Sequence, residues 1–92
     1  MHYVYVIEAE GSTEKYIGYT QNLDLRLFEH NRHNNRSTSH INKWNLIYYE
    51  SYLNKMDALG REKFLKSGSG WRFLRKQISH YLKESPAQNY LT

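Results

Sequence analysis

Two tyrosine-rich apolar segments, Tyr3-Val4-Tyr5-Val6-Ile7 and Tyr16-Ile17-Gly18-Tyr19, stand either side of Glu10-Gly11-Ser12, and nothing else in the chain constrains its fold as much. β-Branched and aromatic residues at this density read as strands over residues 2–8 and from Lys15 to Thr20. The glycine-bearing stretch between them supplies turn chemistry, so the chain opens with a hairpin. Asn22 follows as a helix N-cap with Asp24 in the first turn, where the helix dipole favours an acid. That helix runs from Leu23 to about Arg32. Asn31 to Lys43 is polar, has no period and reads as a mobile surface loop. Trp44 to Tyr52 returns to strand type. Asn54 then caps a helix from Lys55 to about Lys66, which Ser67-Gly68-Ser69-Gly70 breaks. A last helix spans Trp71 to Leu82 and ends at Ser85-Pro86. The order β-β-α-β-α-α describes an α/β (α+β) layer with a mostly antiparallel sheet. Residues 1–83 form one domain, and 84–92 are expected to be a flexible C-terminal tail.

A chain of 92 residues buries roughly 60–65% of its unfolded surface, which leaves no room for a second core. Nine tyrosines let such a core pack well while keeping hydroxyls at a cleft. There is no cysteine, so neither a disulfide nor a thiolate zinc site is available. No segment is long and apolar enough to span a membrane, and Met1-His2-Tyr3 lacks a signal-peptide pattern. A soluble, cytoplasmic protein is expected. The net charge is +4, unevenly spread: residues 1–50 carry five Lys/Arg against six Asp/Glu, and residues 51–92 carry eight against three. The excess lies between Lys55 and Lys83, as suits a polyanion partner on one side, or else a solvated helical face.

Glu62 is the most telling single residue. At about 100° per residue it falls inside the apolar arc of Ala58, Leu59 and Leu65. A carboxylate there needs a partner: a magnesium ion, which is content with one or two protein ligands, or a buried arginine or tyrosine hydroxyl. Arg26 lies beside Leu23 and Leu27, with His30 one turn on, so both edge the buried face of the first helix. An arginine so placed can clamp a phosphate, or simply cover apolar area with its stem. His30 and His33 lack the further ligands a zinc site needs. Tyr5 and Tyr16 face one another if paired positions across the hairpin sum to 21, and a one-residue slip separates them. Gly18 inside a strand marks a bulge or a close approach. Arg61, Lys63, Lys66, Arg72, Arg75 and Lys76 straddle the Ser-Gly-Ser-Gly break, where Trp71 and backbone amides can cradle a phosphate, or where two helices merely join.

Taken together, these residues resemble the GIY-YIG nuclease family, particularly its small stand-alone bacterial type. The likeness runs from Tyr3 to about Arg75. It is carried by Tyr-Val-Tyr with Tyr-Ile-Gly-Tyr-Thr, by Asn-Leu-Asp-Leu-Arg-Leu-Phe-Glu-His (Asn22 to His30), and by Ala-Leu-Gly-Arg-Glu-Lys-Phe-Leu-Lys-Ser (Ala58 to Ser67). The first motif has no leading glycine, and the stretch after Glu62 carries Leu74 and Gln77 where larger members have an asparagine. The resemblance implies a three-stranded antiparallel sheet flanked by helices and a metal-dependent endonuclease that hydrolyses DNA phosphodiesters. On that footing Tyr5, Tyr16, Arg26, His30 and Glu62 are catalytic. One tyrosine assists water attack, Arg26 stabilises the phosphate, and Glu62 holds one Mg²⁺ or Mn²⁺ ion. Gly18, Arg36, His40, Lys63, Lys66, Arg72 and Arg75 are the expected nucleic-acid contacts. The implied substrate is DNA, branched or damaged DNA included, in a DNA-repair setting related to the nuclease domain of an excision-repair nuclease. With no second domain in view, an accessory protein or a homodimer would supply specificity. The alternatives are a nucleic-acid-binding module that cuts weakly or not at all, and an interaction domain whose tyrosines are only core.

Overall fold

The computed structural model describes residues 1–33 and 35–84; the expected helix end at Ser85-Pro86 and nearly all of the expected tail lie outside them. Strands β1 (His2–Ala9), β2 (Lys15–Thr20) and β3 (Trp44–Tyr52) form one antiparallel sheet in the order β2-β1-β3. Helix α1 (Leu23–Asn31) follows the hairpin, and α2 (Lys55–Leu65), α3 (Gly68–Gln77) and α4 (Ser79–Glu84) follow β3. The architecture is α+β, as the sequence order implies, with the last expected helix divided in two.

β1 owes its long apolar run to its central place, because Val4 to Ala9 are all buried. Val4 and Val6 face Ala58, Leu65 and Leu74 of α2 and α3. Tyr5, Ile7 and Ala9 face the opposite way, toward Trp44, Tyr16, Leu23 and Leu27. An irregularity in the β1–β3 ladder pairs Val6 with Tyr48 but Ile7 with Leu46. The extra residue, Ile47, joins Tyr48 in the first layer while Leu46 stays in the second. Gly11 takes a positive φ of 75° in the hairpin turn.

Paired hairpin positions sum to 23, not 21: Tyr5 lies opposite Gly18, and Tyr16 opposite Ile7. A shift of two residues keeps both tyrosines on one face, as diagonal rather than direct neighbours.

Asn22 and Asn54 cap their helices as expected, their side chains accepting from Leu25 N and from Met56 N and Asp57 N. Ser67-Gly68-Ser69-Gly70 does end α2, but it also starts α3. Ser67 is the N-cap, accepting from Gly70 N, and the glycines form the first turn. A Cβ at Gly70 would run into the Phe64 carbonyl, with Leu65 Cα only 2.6 Å away, so the tight corner depends on its absence. Ile78 interrupts the expected Trp71–Leu82 helix by leaving helical geometry to pack on the Val4–Leu65 layer.

The stretch after α1 is a surface loop, as its polarity suggests, but one anchored by a buried residue. A 3-10 turn over Arg36–Thr38 drops Thr38 to full burial, and Ile41 packs beside Trp44. The buried Thr38 carbonyl accepts from Trp44 Nε1 at 3.1 Å.

Candidate active site at the edge strand

Tyr5 sits mid-sheet, 2% exposed, and its ring lies across Gly18. A Cβ on Gly18 would stand 2.6 Å from Tyr5 Cζ. Glycine is therefore what lets the phenol reach toward β2, and Gly18 serves packing here rather than offering itself to a ligand. The Tyr5 hydroxyl meets His30 Nε2 at 2.8 Å, and His30 Nδ1 meets Thr38 Oγ1 at 2.8 Å. The direction of this chain follows from its ends. Thr38 Oγ1 donates to the Asn35 carbonyl at 3.3 Å, so its lone pairs face His30. Arg26, on the other side of Tyr5, can only donate. The hydrogen-bond pattern thus assigns the proton to His30 Nδ1 and leaves Nε2 to accept from the Tyr5 hydroxyl.

Electrostatics agree with that assignment. Burial, helped by the Arg26 charge, holds His30 down at about 4, so the imidazole is neutral at neutral pH. Burial likewise raises the Tyr5 phenol to about 12, against the pull of Arg26 hydrogen bonding and charge. Tyr16 and the Glu62 carboxylate add to the rise. The resting proton belongs to Tyr5.

His30 is fully buried, deeper than the edge of the buried face where helix spacing placed it. The Tyr16 ring packs 5.1 Å from the His30 ring and 6.4 Å from the Tyr5 ring. It is only half-buried, and among the described residues its hydroxyl makes no hydrogen bond. Arg26, with its side chain 29% exposed, has one ion pair, a long contact of 3.4 Å to Glu29.

Glu62 corrects the helical-wheel expectation. Ala58 and Leu65 are buried, but Glu62 stands at the rim of their arc, its side chain 21% exposed and 3.2 Å from Lys66 Nζ. It is a single oxygen donor group beside a mobile-stemmed lysine. Among the described residues, no three His, Asp or Glu side chains converge on one point. That donor set suits a hard divalent ion that keeps most of its waters and takes one carboxylate from the protein.

The expected nucleic-acid contacts divide. Arg36, Lys63, Arg72 and Arg75 are exposed, and among the described residues Arg72 bonds Ser69 Oγ, at 3.2 Å. His40 is exposed but meets Glu14 Oε2 at 2.6 Å, which ties the hairpin turn to the loop after the 3-10 turn. Lys66 belongs with Glu62. Arg61, part of the basic run, is a part-exposed but committed cation: its guanidinium forks onto Glu50 and lies 4.4 Å over the Phe73 ring. Thr38 and Asn35 escaped the sequence reading because nothing in a polar, aperiodic stretch marks which hydroxyl turns inward.

A model of the GIY-YIG catalytic domain matches residues 1–72. The chain belongs to the GIY-YIG family. This GIY-YIG domain is 36% identical over 86 residues to the UPF0213 protein in the ldhD 5′ region of Pediococcus acidilactici, covering 90% of this chain and 82% of that one. It is 31% identical over 91 residues to the UPF0213 protein CPE1444 of Clostridium perfringens, covering 98% and 94%. No solved structure gives a significant match. Membership implies nuclease activity in general, and GIY-YIG nucleases are generally dependent on divalent metals. No described helix is long and apolar enough to cross a membrane.

Proposed function

We propose that this GIY-YIG domain is a divalent-metal-dependent endonuclease that hydrolyses DNA phosphodiesters at the outer edge of β2. The observation that carries this reading is the gathering of Tyr5, Tyr16, Arg26 and His30 on one face of the sheet. Tyr16 is the phenol that can meet an attacking water, because it is half-buried and uncommitted, while Tyr5 is buried and bonded to His30. Tyr16 accepts a hydrogen bond from that water and aligns it, and the water's proton leaves to bulk solvent as the oxygen–phosphorus bond forms. Tyr5 and His30 hold Arg26 and Tyr16 in place from beneath. The Arg26 guanidinium donates to a non-bridging oxygen and stabilises the charge that develops there. Glu62 would hold a divalent ion, whose chemistry there would be Lewis-acid polarisation of the phosphate and stabilisation of the leaving oxygen. Arg36, His40, Lys63, Arg72 and Arg75 take the neighbouring backbone phosphates and set the strand's position without reading its sequence. Specificity then comes from DNA shape, from a second copy or from an accessory protein, in a cytoplasmic setting.

The test is nicking of supercoiled plasmid with Mg²⁺ or Mn²⁺ by wild type and Glu62→Ala purified in parallel. Metal-dependent nicking that vanishes in the variant is expected. Equal activity in both would refute the assignment of Glu62, and an inert wild type on plasmid, flaps and junctions would favour a binding module instead.

A further inference from the structure

Next to the proposed site lies a cavity of about 420 Å³ between β2 and the α2–α3 corner. Ile17, Leu65 and Trp71 give it apolar walls, and Thr13, Tyr16 and Lys66 border its open side. The size is that of a small-ligand pocket, and its mix of a large apolar surface with few polar groups is what such pockets use. Two of its walls belong to the catalytic edge as well. Tyr16 is the phenol assigned to the attacking water, and Lys66 reaches 3.2 Å from Glu62 while its stem lines the cavity. Whatever fills this space is therefore within reach of a phosphate held between Arg26 and Glu62.

The charges lining the cavity narrow the choice of ligand. Lys15 also borders it, with its ammonium 5.3 Å over the Trp71 ring, but that charge is spent on the buried Glu8 at 3.0 Å and the Thr13 carbonyl at 2.9 Å. Lys66 is the half-exposed cation of the cavity. An apolar slot with an aromatic wall and, at the end nearest the reacting phosphate, a half-exposed lysine whose pair with Glu62 occupies one of its three ammonium protons matches a nucleobase with its own phosphate.

We propose that this cavity is a nucleobase subsite. Resting on the nuclease reading above, it receives the base of the nucleotide adjoining the scissile phosphate, packed against Trp71 and Ile17, with Lys66 on that nucleotide's phosphate. A base in this slot has left its stack, so the cavity adds to affinity most where the DNA is already unpaired beside the cut.

Metal-free NMR titrations test this without any turnover. The probes are deoxythymidine 3′,5′-bisphosphate, the abasic deoxyribose 3,5-bisphosphate, and inorganic phosphate. The nucleotide is expected to shift the Trp71 indole N–H and the amides of Ile17 and Lys66, and to bind at least about fivefold more tightly than its abasic counterpart, the lower end of what base–aromatic contact contributes. Trp71→Leu should abolish that preference and leave binding of the abasic probe unchanged. The indole signal of Trp44, which is 1% exposed and bonded to the Thr38 carbonyl, reports that the variant is folded. Equal affinity for nucleotide and abasic probe, shifts confined to Arg72 and Arg75, or a preference that survives in Trp71→Leu would each overturn the proposal. Plasmid nicking that persists without base preference overturns the subsite alone. An inert wild type overturns the nuclease reading and leaves the base preference to decide on the pocket.

Discussion

Two polar networks flank the central strand, and they are finished differently. On the α2 side, Glu50 accepts from Tyr48 Oη at 2.6 Å, Tyr52 Oη at 2.7 Å, and Arg61 Nε and Nη2 at 2.8 and 3.0 Å. Both carboxylate oxygens are filled twice, and the guanidinium is roofed by Phe73 and Phe64. On the α1 side, the chain Asn35–Thr38–His30–Tyr5 is equally ordered at its buried end. At its outer end it stops at a part-exposed Arg26, an unbonded Tyr16 hydroxyl and a Glu62 paired with one lysine. A saturated network fixes helix to sheet and has nothing left to give a substrate. An unsaturated one keeps donors and acceptors for a ligand, at some cost in stability.

The sharpest way to break this comparison is to delete one member of each network. Arg26→Ala should lower cleavage by about 10²–10³-fold, the usual effect of removing a group that stabilises developing charge, and barely move the melting temperature. Glu50→Ala should do the reverse, because it strands Arg61 and two tyrosine hydroxyls. A loss of about 3 kcal/mol is expected, read by denaturant or thermal unfolding, with cleavage per folded molecule largely kept. Similar unfolding losses in both variants would erase the distinction.

A smaller effect comes from pH. The unfolded His30 imidazole takes up a proton near 6.5, but the folded one does so only at about 4. Between these values the unfolded state binds more protons, so stability falls as the pH falls from 6.5 toward 4. Melting temperatures over that range should drop in wild type and drop less in His30→Asn. Parallel curves for the two proteins would mean that another group carries the acid sensitivity.

Much of this frame was legible in the chain. The hairpin, the asparagine caps and the position of β3 rest on local chemistry, which is what sequence encodes most directly. Register is not local: the placement of Tyr5 opposite Gly18 depends on a ring filling the space of a missing side chain. Thr38 is invisible because its burial is decided by His30, eight residues back on another element. The helical wheel found the right arc for α2, but put Glu62 at its centre because a wheel does not know where the sheet ends. At that margin the carboxylate stays wet. Among the described residues the buried carboxylate is Glu8, at 5% exposure, while Glu50, with its side chain 17% exposed, is set apart by its four hydrogen bonds rather than by burial, and nothing in their sequence neighbourhood shows it.

The most direct test is where a paramagnetic ion settles. Substoichiometric Mn²⁺, added to the isotopically labelled protein without DNA, should broaden the resonances of Glu62, Lys66 and Tyr16 first. Those of Glu50, Arg61 and Glu8 should stay sharp, and Glu62→Gln should remove the effect. Broadening centred on Glu50 or Glu8, or none with residue-level preference, would contradict the claim that the edge of β2 is the end of this molecule left open for chemistry.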